Sequence, residues 1–352
     1  MAKKFSAALA GLTLAAAMTA PIQAQARDYI SIVGSSTVYP FATTVAERFG
    51  RSTKYSTPKI ESTGSGGGLK LFCEGVGTSN PDITNASRRI KKSEFDRCQA
   101  NGVKDIVEAK VGNDGIVLAA AKSSPDFDLS REEIFLALAA EVPNPKNPSE
   151  IIDNPYQKWS DINSELPDVK IRVLGPPPTS GTRDAFVELA MEAGCEHFDA
   201  ISKLEDSNEK RFDEVCKSMR EDGAFVEAGE NDNLIVQKLE ADPGSVGIFG
   251  FSYLDQNRGM IKGAKVNGSE PTFDSIASGD YPLSRSLYFY IKKAHVGVVP
   301  GIPEYLKEWT SEKAWGPGGY LAEKGMIPLA DDLRAKMKKQ ILGLKPMTGD
   351  EI

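Results

Sequence analysis

Histidine is almost absent from this chain: His197 and His295 are the only two among 352 residues. Nucleophilic serine chemistry draws on a histidine or lysine base. Neither histidine stands beside a serine-rich segment, which argues against a hydrolase. Cysteine is scarce too, with Cys73, Cys98, Cys195 and Cys216 and no Cys-x-x-Cys pair, so a zinc site has no ligand spacing to build on. Beyond the N-terminus no apolar run approaches the ~20 residues that a membrane-spanning helix needs. Positive charge is in deficit, with a formal net charge of -7, which argues against nucleic acid or an anionic membrane as partner. There is no internal repeat. The one glycine-rich run, Thr63-Gly64-Ser65-Gly66-Gly67-Gly68, is neither a nucleotide phosphate loop nor a dinucleotide fingerprint: no Gly-Lys-Ser/Thr follows it, and Leu69 stands where the third glycine would fall. No metal or other cofactor is expected.

What is present begins with an export leader. Lys3 and Lys4 form a charged start, residues 5–20 are apolar and alanine-rich, and Ala24-Gln25-Ala26 offers a small-x-small cleavage site. Residues 1–26 are read as a signal peptide, with a mature, exported and periplasmic chain starting at Arg27; a retained N-terminal anchor is the competing reading. In an oxidising compartment four cysteines suggest two disulfides, for which three connectivities exist. The sequential pairing, Cys73–Cys98 and Cys195–Cys216, is favoured because each bridge joins the ends of neighbouring predicted helices.

The mature chain is long enough for two domains of ~100–200 residues each. Residues 29–33, 59–62, 82–86, 103–111 and 115–121 read as strands, with helices over 38–49, from 67, and through 93–101. A second unit follows: a helix over 131–140, a Pro/Asn-rich loop over 143–155, a strand over 170–174, helices over 183–193 and 234–241, and a strand over 244–251. A strand over 287–291 and helices over 303–310 and 329–342 close the chain. The fold class is α/β with two lobes, 27–112 plus 281–352 and 113–280. The two crossings, near 111–121 and 281–291, act as a hinge, and a ligand cleft lies between the lobes at the C-terminal ends of the strands.

Three short segments stand out: Gly34-Ser35-Ser36-Thr37, the Thr63–Gly68 run, and Thr179-Ser180-Gly181-Thr182-Arg183. Each follows a strand and precedes a helix, where unpaired N–H groups and the helix dipole favour an anion. Taken singly, the first is also an ordinary N-cap and the second a flexible turn. The third adds a guanidinium that is unfavourable in a first turn unless an anion is near; Asp184 beside it could orient Arg183 or complement the dipole.

With these residues the chain resembles the periplasmic phosphate-binding proteins of bacterial ABC transporters, in segments 34–37, 60–68, 82–88, 180–183, 244–253 and 281–290 taken in that order. The resemblance implies a type II two-lobed binding protein that closes on dehydrated inorganic phosphate and delivers it to membrane permease subunits. It is expected to be a monomer and not an enzyme. The implied contacts are Ser36, Thr37, the Val38 backbone N–H, Ser65, Ser180, Gly181 and Thr182, with Arg183 as the main cation. Two departures follow. Ser87 stands where many members have an Asp that accepts the proton of hydrogen phosphate, and Pro176 stands where many have an Arg. Arg88 is a second candidate cation or a surface ion-pair partner, and Glu230 or Asp232 could substitute for the acceptor. Other ligands (sulfate, phosphonate, phosphite, arsenate) and other roles (scavenger, adhesin, sensor) remain the rival readings.

Overall fold

The computed structural model describes residues 27–229 and 232–352. The leader read over residues 1–26 and the candidate acceptor Glu230 lie outside the described residues. Among the described residues no helix is long and apolar enough to cross a membrane.

Nine strands form one curled sheet: β1 (Ser31–Gly34), β2 (Lys59–Ser62), β3 (Ile83–Ala86), β4 (Ile106–Ala121), β5 (Val173–Gly175), β6 (Phe225–Glu227), β7 (Val246–Gly250), β8 (Ile261–Gly263) and β9 (Ser284–Lys292). Their order is β2-β1-β3-β9-β4-β7-β5-β6, with β8 pairing the far end of β4. β1 runs parallel to both neighbours, Ile32 facing Ile60 on one side and Ile83 on the other. β5 is likewise parallel to β6 and β7, whereas β4 and β9 are antiparallel to each other and to the strands they join. Two parallel halves are thus stitched together by two long antiparallel strands.

The sequence reads residues 103–121 as two strands broken near Gly112, but β4 runs unbroken for 16 residues with only Lys110 not fully buried. The glycines there serve packing. A Cβ on Gly112 would lie 2.7 Å from Met326 Cγ, and one on Gly115 would lie 2.7 Å from Ile276 Cδ1. Opposite them the register of β9 shifts between Leu287 and Tyr288, a bulge that bends the ribbon without ending it. Val107, Ala109 and Val111 of β4 enter one apolar core with Phe49, Phe289 and Trp309. Residues Ile116–Ala120 enter another, with Phe135, Trp159, Phe186 and Phe249. The protein is therefore a two-lobed mixed α/β molecule whose lobes share β4 and β9.

The structure joins Cys73 to Cys98 and Cys195 to Cys216, each bridge inside one apolar cluster. Other local expectations change. The loop expected over 143–155 is a hairpin, Glu141–Asn144 with Asn147–Asp153, because Pro143 and Pro148 are tolerated on a ribbon with two free edges. Several elements escaped the sequence reading, among them β6, β8 and the helices Asp199–Ser207 and Glu209–Lys217. β6 is only three residues long, too short for alternation to register, and the helices bury few side chains, Ile201 in the first and Phe212, Val215 and Cys216 in the second. His295 is a core residue. Its Nδ1 lies 2.5 Å from an oxygen of the fully buried Asp82, which also accepts from Arg27 and the Ser31 N–H.

Gly34 sets the end of β1. Its φ of +125° is open to glycine alone, and a Cβ would sit 2.1 Å from the Asn85 carbonyl oxygen. Gly34→Ala should destabilise the protein by at least ~2 kcal/mol. Gly64→Ala, at φ +72° and ψ 159° with nothing near, should carry backbone strain of ~1–3 kcal/mol and no clash. Urea unfolding of both variants checks this; equal losses would mean that the contact with Asn85 does not matter.

Candidate anion-binding cleft

β1, β2 and β3 are parallel, so their C-terminal ends emerge on one edge, and the loops after them meet there. The Ser35 N–H donates to Asn85 O at 3.0 Å and the Thr63 N–H to Gly34 O at 2.9 Å, locking the three loop starts together. Beyond them the helix α1 (Tyr39–Ser52) begins after Thr37-Val38, and the helix α2 (Ser65–Phe72) begins inside the glycine run. Not every glycine of that run faces outward. A Cβ on Gly68 would lie 2.4 Å from Gly34 Cα, so Gly68 lets α2 press onto β1, while Gly64, Gly66 and Gly67 have open space or only ordinary contacts. Ser65 and Ser87 hydroxyls stand 3.0 Å apart, and the Ser87 N–H donates to Ser65 Oγ at 3.0 Å.

The second lobe meets this edge through Gly181. A Cβ there would stand 3.1 Å from the Ser36 carbonyl oxygen, so the two loops touch across the cleft. Ser36 Oγ donates to Asp184 Oδ2 at 2.6 Å. Between the lobes lies a cavity of about 300 Å³, bounded on the first lobe by Ser35–Thr37, Gly64–Gly66, Ser87 and Arg88, and on the second by Asp184 and Glu188.

Arg285 of β9 forms its floor. The guanidinium is almost wholly buried; it donates to Thr37 Oγ1 on one lobe and, at 2.5 Å, to Glu188 on the other. Its Nε has no hydrogen-bond partner, the nearest carboxylate being Asp114 at 3.7 Å. Burial pushes the Asp114 carboxyl above the usual range and Arg285 pulls it back. A buried guanidinium whose Nε lacks a hydrogen-bond partner thus borders a cavity that the Ser36, Thr37, Ser65 and Ser87 side chains also line.

A model of the PBP superfamily domain matches residues 19–313. The chain belongs to the PBP superfamily. It is 30% identical to protein SphX of Synechococcus elongatus over 304 residues, 83% of this chain and 78% of that one. It is 28% identical to the phosphate-binding protein PstS of Staphylococcus saprophyticus, over 78% and 73% of the two chains. Among solved structures it is similar to "a possible phosphate binding protein" from Planctomyces limnophilus, at a TM-score of 0.71 and 29% identity, covering 90% of this chain and 98% of that one.

Within this PBP-superfamily fold the residues singled out from sequence fall into two groups. Ser36, Thr37, Ser65, Ser87 and Arg88 line the cavity. Arg88 is also held by Glu94 through two bonds of 2.9 and 2.8 Å. The Val38 N–H is engaged by Ser35 Oγ at 3.3 Å, and the Thr182 N–H by Ser180 Oγ at 3.2 Å. Ser180, Gly181 and Thr182 flank the cavity without lining it. Arg183, expected as the main cation, is not brought to the cleft. Its guanidinium lies 4.5 Å over the Phe225 ring, donates to Pro176 O at 3.2 Å, and faces an adjoining cavity of about 880 Å³ that shares Asp184 and Glu188 with the first. Arg285 was missed, although a lone arginine inside the strand-like run Tyr281–Tyr290 is a signal that it needs a buried partner.

Asp232, the other candidate acceptor, is buried at the start of the helix Asp232–Ala241 and does not line the cavity. Burial pushes its carboxyl up to about 6, partly offset by a hydrogen bond from the Gly250 backbone. The folded chain therefore holds a proton that the unfolded chain releases between about pH 4 and 6. This destabilises the fold above that window, and the cost fades as the pH falls through it. Asp232→Asn should be more stable than the parent chain at pH 7 and lose that advantage near pH 4. Urea midpoints across this range test it; parallel pH profiles would exclude Asp232 as the responsible group.

Proposed function

We propose that this protein binds inorganic phosphate in the cleft between its lobes and delivers it, from the periplasm, to the permease of an ABC transporter. The observation that carries the reading is Arg285: a buried cation with an unpaired Nε, at the meeting point of the Ser35–Thr37, Gly64–Gly66 and Ser87 loops. A tetrahedral oxyanion supplies several acceptors at once and suits such a cage of hydroxyl, backbone and guanidinium donors. The similarity to PstS supports phosphate as the anion and transport as the purpose. Binding rather than catalysis is supported by the same similarity, since that relative is named a phosphate-binding protein.

In this reading residues 27–112 with 281–352 form one lobe and 113–280 the other, and the protein acts as a monomer. The Ser180-Gly181-Thr182 segment completes the cage when the second lobe settles on a bound anion. Arg285 takes the role that the sequence assigned to Arg183, because its side chain already sits at the cavity floor.

Titration calorimetry on ligand-stripped protein tests this directly. Removing one partner of a buried charged pair costs ~3–5 kcal/mol, so Arg285→Ala should weaken phosphate binding by two to three orders of magnitude. Arg183→Ala should change it by less than about tenfold, the effect of a charge beyond contact range. Normal binding by a folded Arg285→Ala variant, or loss with Arg183→Ala alone, would reverse the assignment.

A further inference from the structure

The cavity floored by Arg285 lies beside the larger one of about 880 Å³, and the two share the side chains of Asp184 and Glu188. Those residues stand one turn apart on the helix that begins at Gly181, and both are exposed. The partition is therefore a pair of mobile carboxylates, not packed backbone. Every residue lining the larger cavity, from Pro178 to Glu227, belongs to the second lobe. Closure moves one lobe against the other, so it can roof this space but cannot collapse it. The lobes already touch at Gly181 and Ser36, and the space persists. Inorganic phosphate needs none of it.

The two cavities differ in charge. Around the smaller one donors prevail: Arg88 and Arg285 can only donate, and the Nε of Arg285 lacks a partner. Around the larger one carboxylates prevail. Lys217 is taken up by Asp213 at 2.7 Å and Glu192 at 3.5 Å, and Arg220 by Asp222. Arg183 rests on Phe225 and bonds the Pro176 carbonyl. Against that one loose cation stand Asp184, Glu221 and Glu227, none with an ion-pair partner among the described residues. A second anionic group is therefore unwelcome there, and a cation is favoured.

Building on the phosphate reading, we propose that the cleft also admits phosphate monoesters whose alcohol carries a protonated amine. The phosphoryl group sits on Arg285. The ester substituent passes between Asp184 and Glu188 into the larger cavity, where its ammonium meets Glu221 and Glu227. Val187 and Met219 offer apolar surface to the intervening carbons. A monoester keeps three acceptor oxygens and most of a double negative charge at neutral pH, so it gives up only one oxygen of the tetrahedron to the ester bond. Its two ends match the two cavities in sign.

The test is titration calorimetry at pH 7 and low salt on ligand-stripped protein, with inorganic phosphate, phosphoethanolamine and ethyl phosphate, for the parent chain and for Glu221→Gln combined with Glu227→Gln. Both glutamates are exposed, and exposed ion pairs contribute little each, so the amine should strengthen binding over ethyl phosphate by about threefold to tenfold. The double variant should abolish that preference and bind inorganic phosphate as the parent does. Phosphoethanolamine that neither binds nor displaces phosphate, or that binds no better than ethyl phosphate, overturns this proposal and leaves the phosphate reading standing. A preference that survives the double variant overturns it as well. A parent chain that binds none of the three overturns both readings.

Discussion

A guanidinium with almost no access to water must be satisfied by what surrounds it, and Arg285 organises the centre of this protein on that account. It rises from β9, one of the two strands that belong to both lobes, and reaches Thr37 on one side and Glu188 on the other. In the proposed reading the incomplete satisfaction of Arg285 is the functional feature. With Nε unpaired and Asp114 just beyond hydrogen-bonding distance, the guanidinium is short of acceptors, and in the proposed reading a small oxyanion in the cavity supplies the missing ones.

The fold delivers the rest of the cage through backbone geometry. Parallel β1, β2 and β3 end on one edge, and Gly34 and Gly68 bring α2 against β1 so closely that Ser65 comes within 3.0 Å of Ser87. The opposite wall is presented by the helix that begins at Gly181, whose Asp184 and Glu188 side chains point back at Ser36 and Arg285. Those two carboxylates hold donors that, in the proposed reading, a bound anion also engages. On that reading net affinity is the difference between two sets of charged contacts, and it depends on how readily the second lobe exchanges one set for the other.

Much of this was legible in the sequence where the chemistry is local. The Ser/Thr/Gly segments at strand-to-helix junctions were readable because N-cap and glycine preferences act over a few residues, and Ser36, Thr37, Ser65 and Ser87 do meet at one cavity. What depends on tertiary placement was not readable. Arg285 joins the site only because β9 pairs with β4 in the register that sets it opposite Asp114, a contact spanning much of the chain. Arg183 has the right neighbours in sequence but points elsewhere, since Phe225, more than forty residues later, offers its ring as a resting place. Asp184 had two local explanations, orienting Arg183 or complementing the helix dipole, and the structure gives it a third, the hydroxyl of Ser36 across the cleft. β4 was split at its glycines because nothing in the local pattern reveals that Met326 and Ile276 fill the space those glycines leave.

The central claim is that Arg285, at the crossing between lobes, is the cation on which the ligand rests. A crystal structure of the mature chain grown with phosphate tests it most directly. The account predicts a tetrahedral anion in the cavity bounded by Thr37, Ser65 and Ser87, hydrogen-bonded to Arg285, with Glu188 displaced from the guanidinium. An anion bound instead against Arg183 and Phe225, with the Arg285–Glu188 pair intact and the cleft empty, would contradict it.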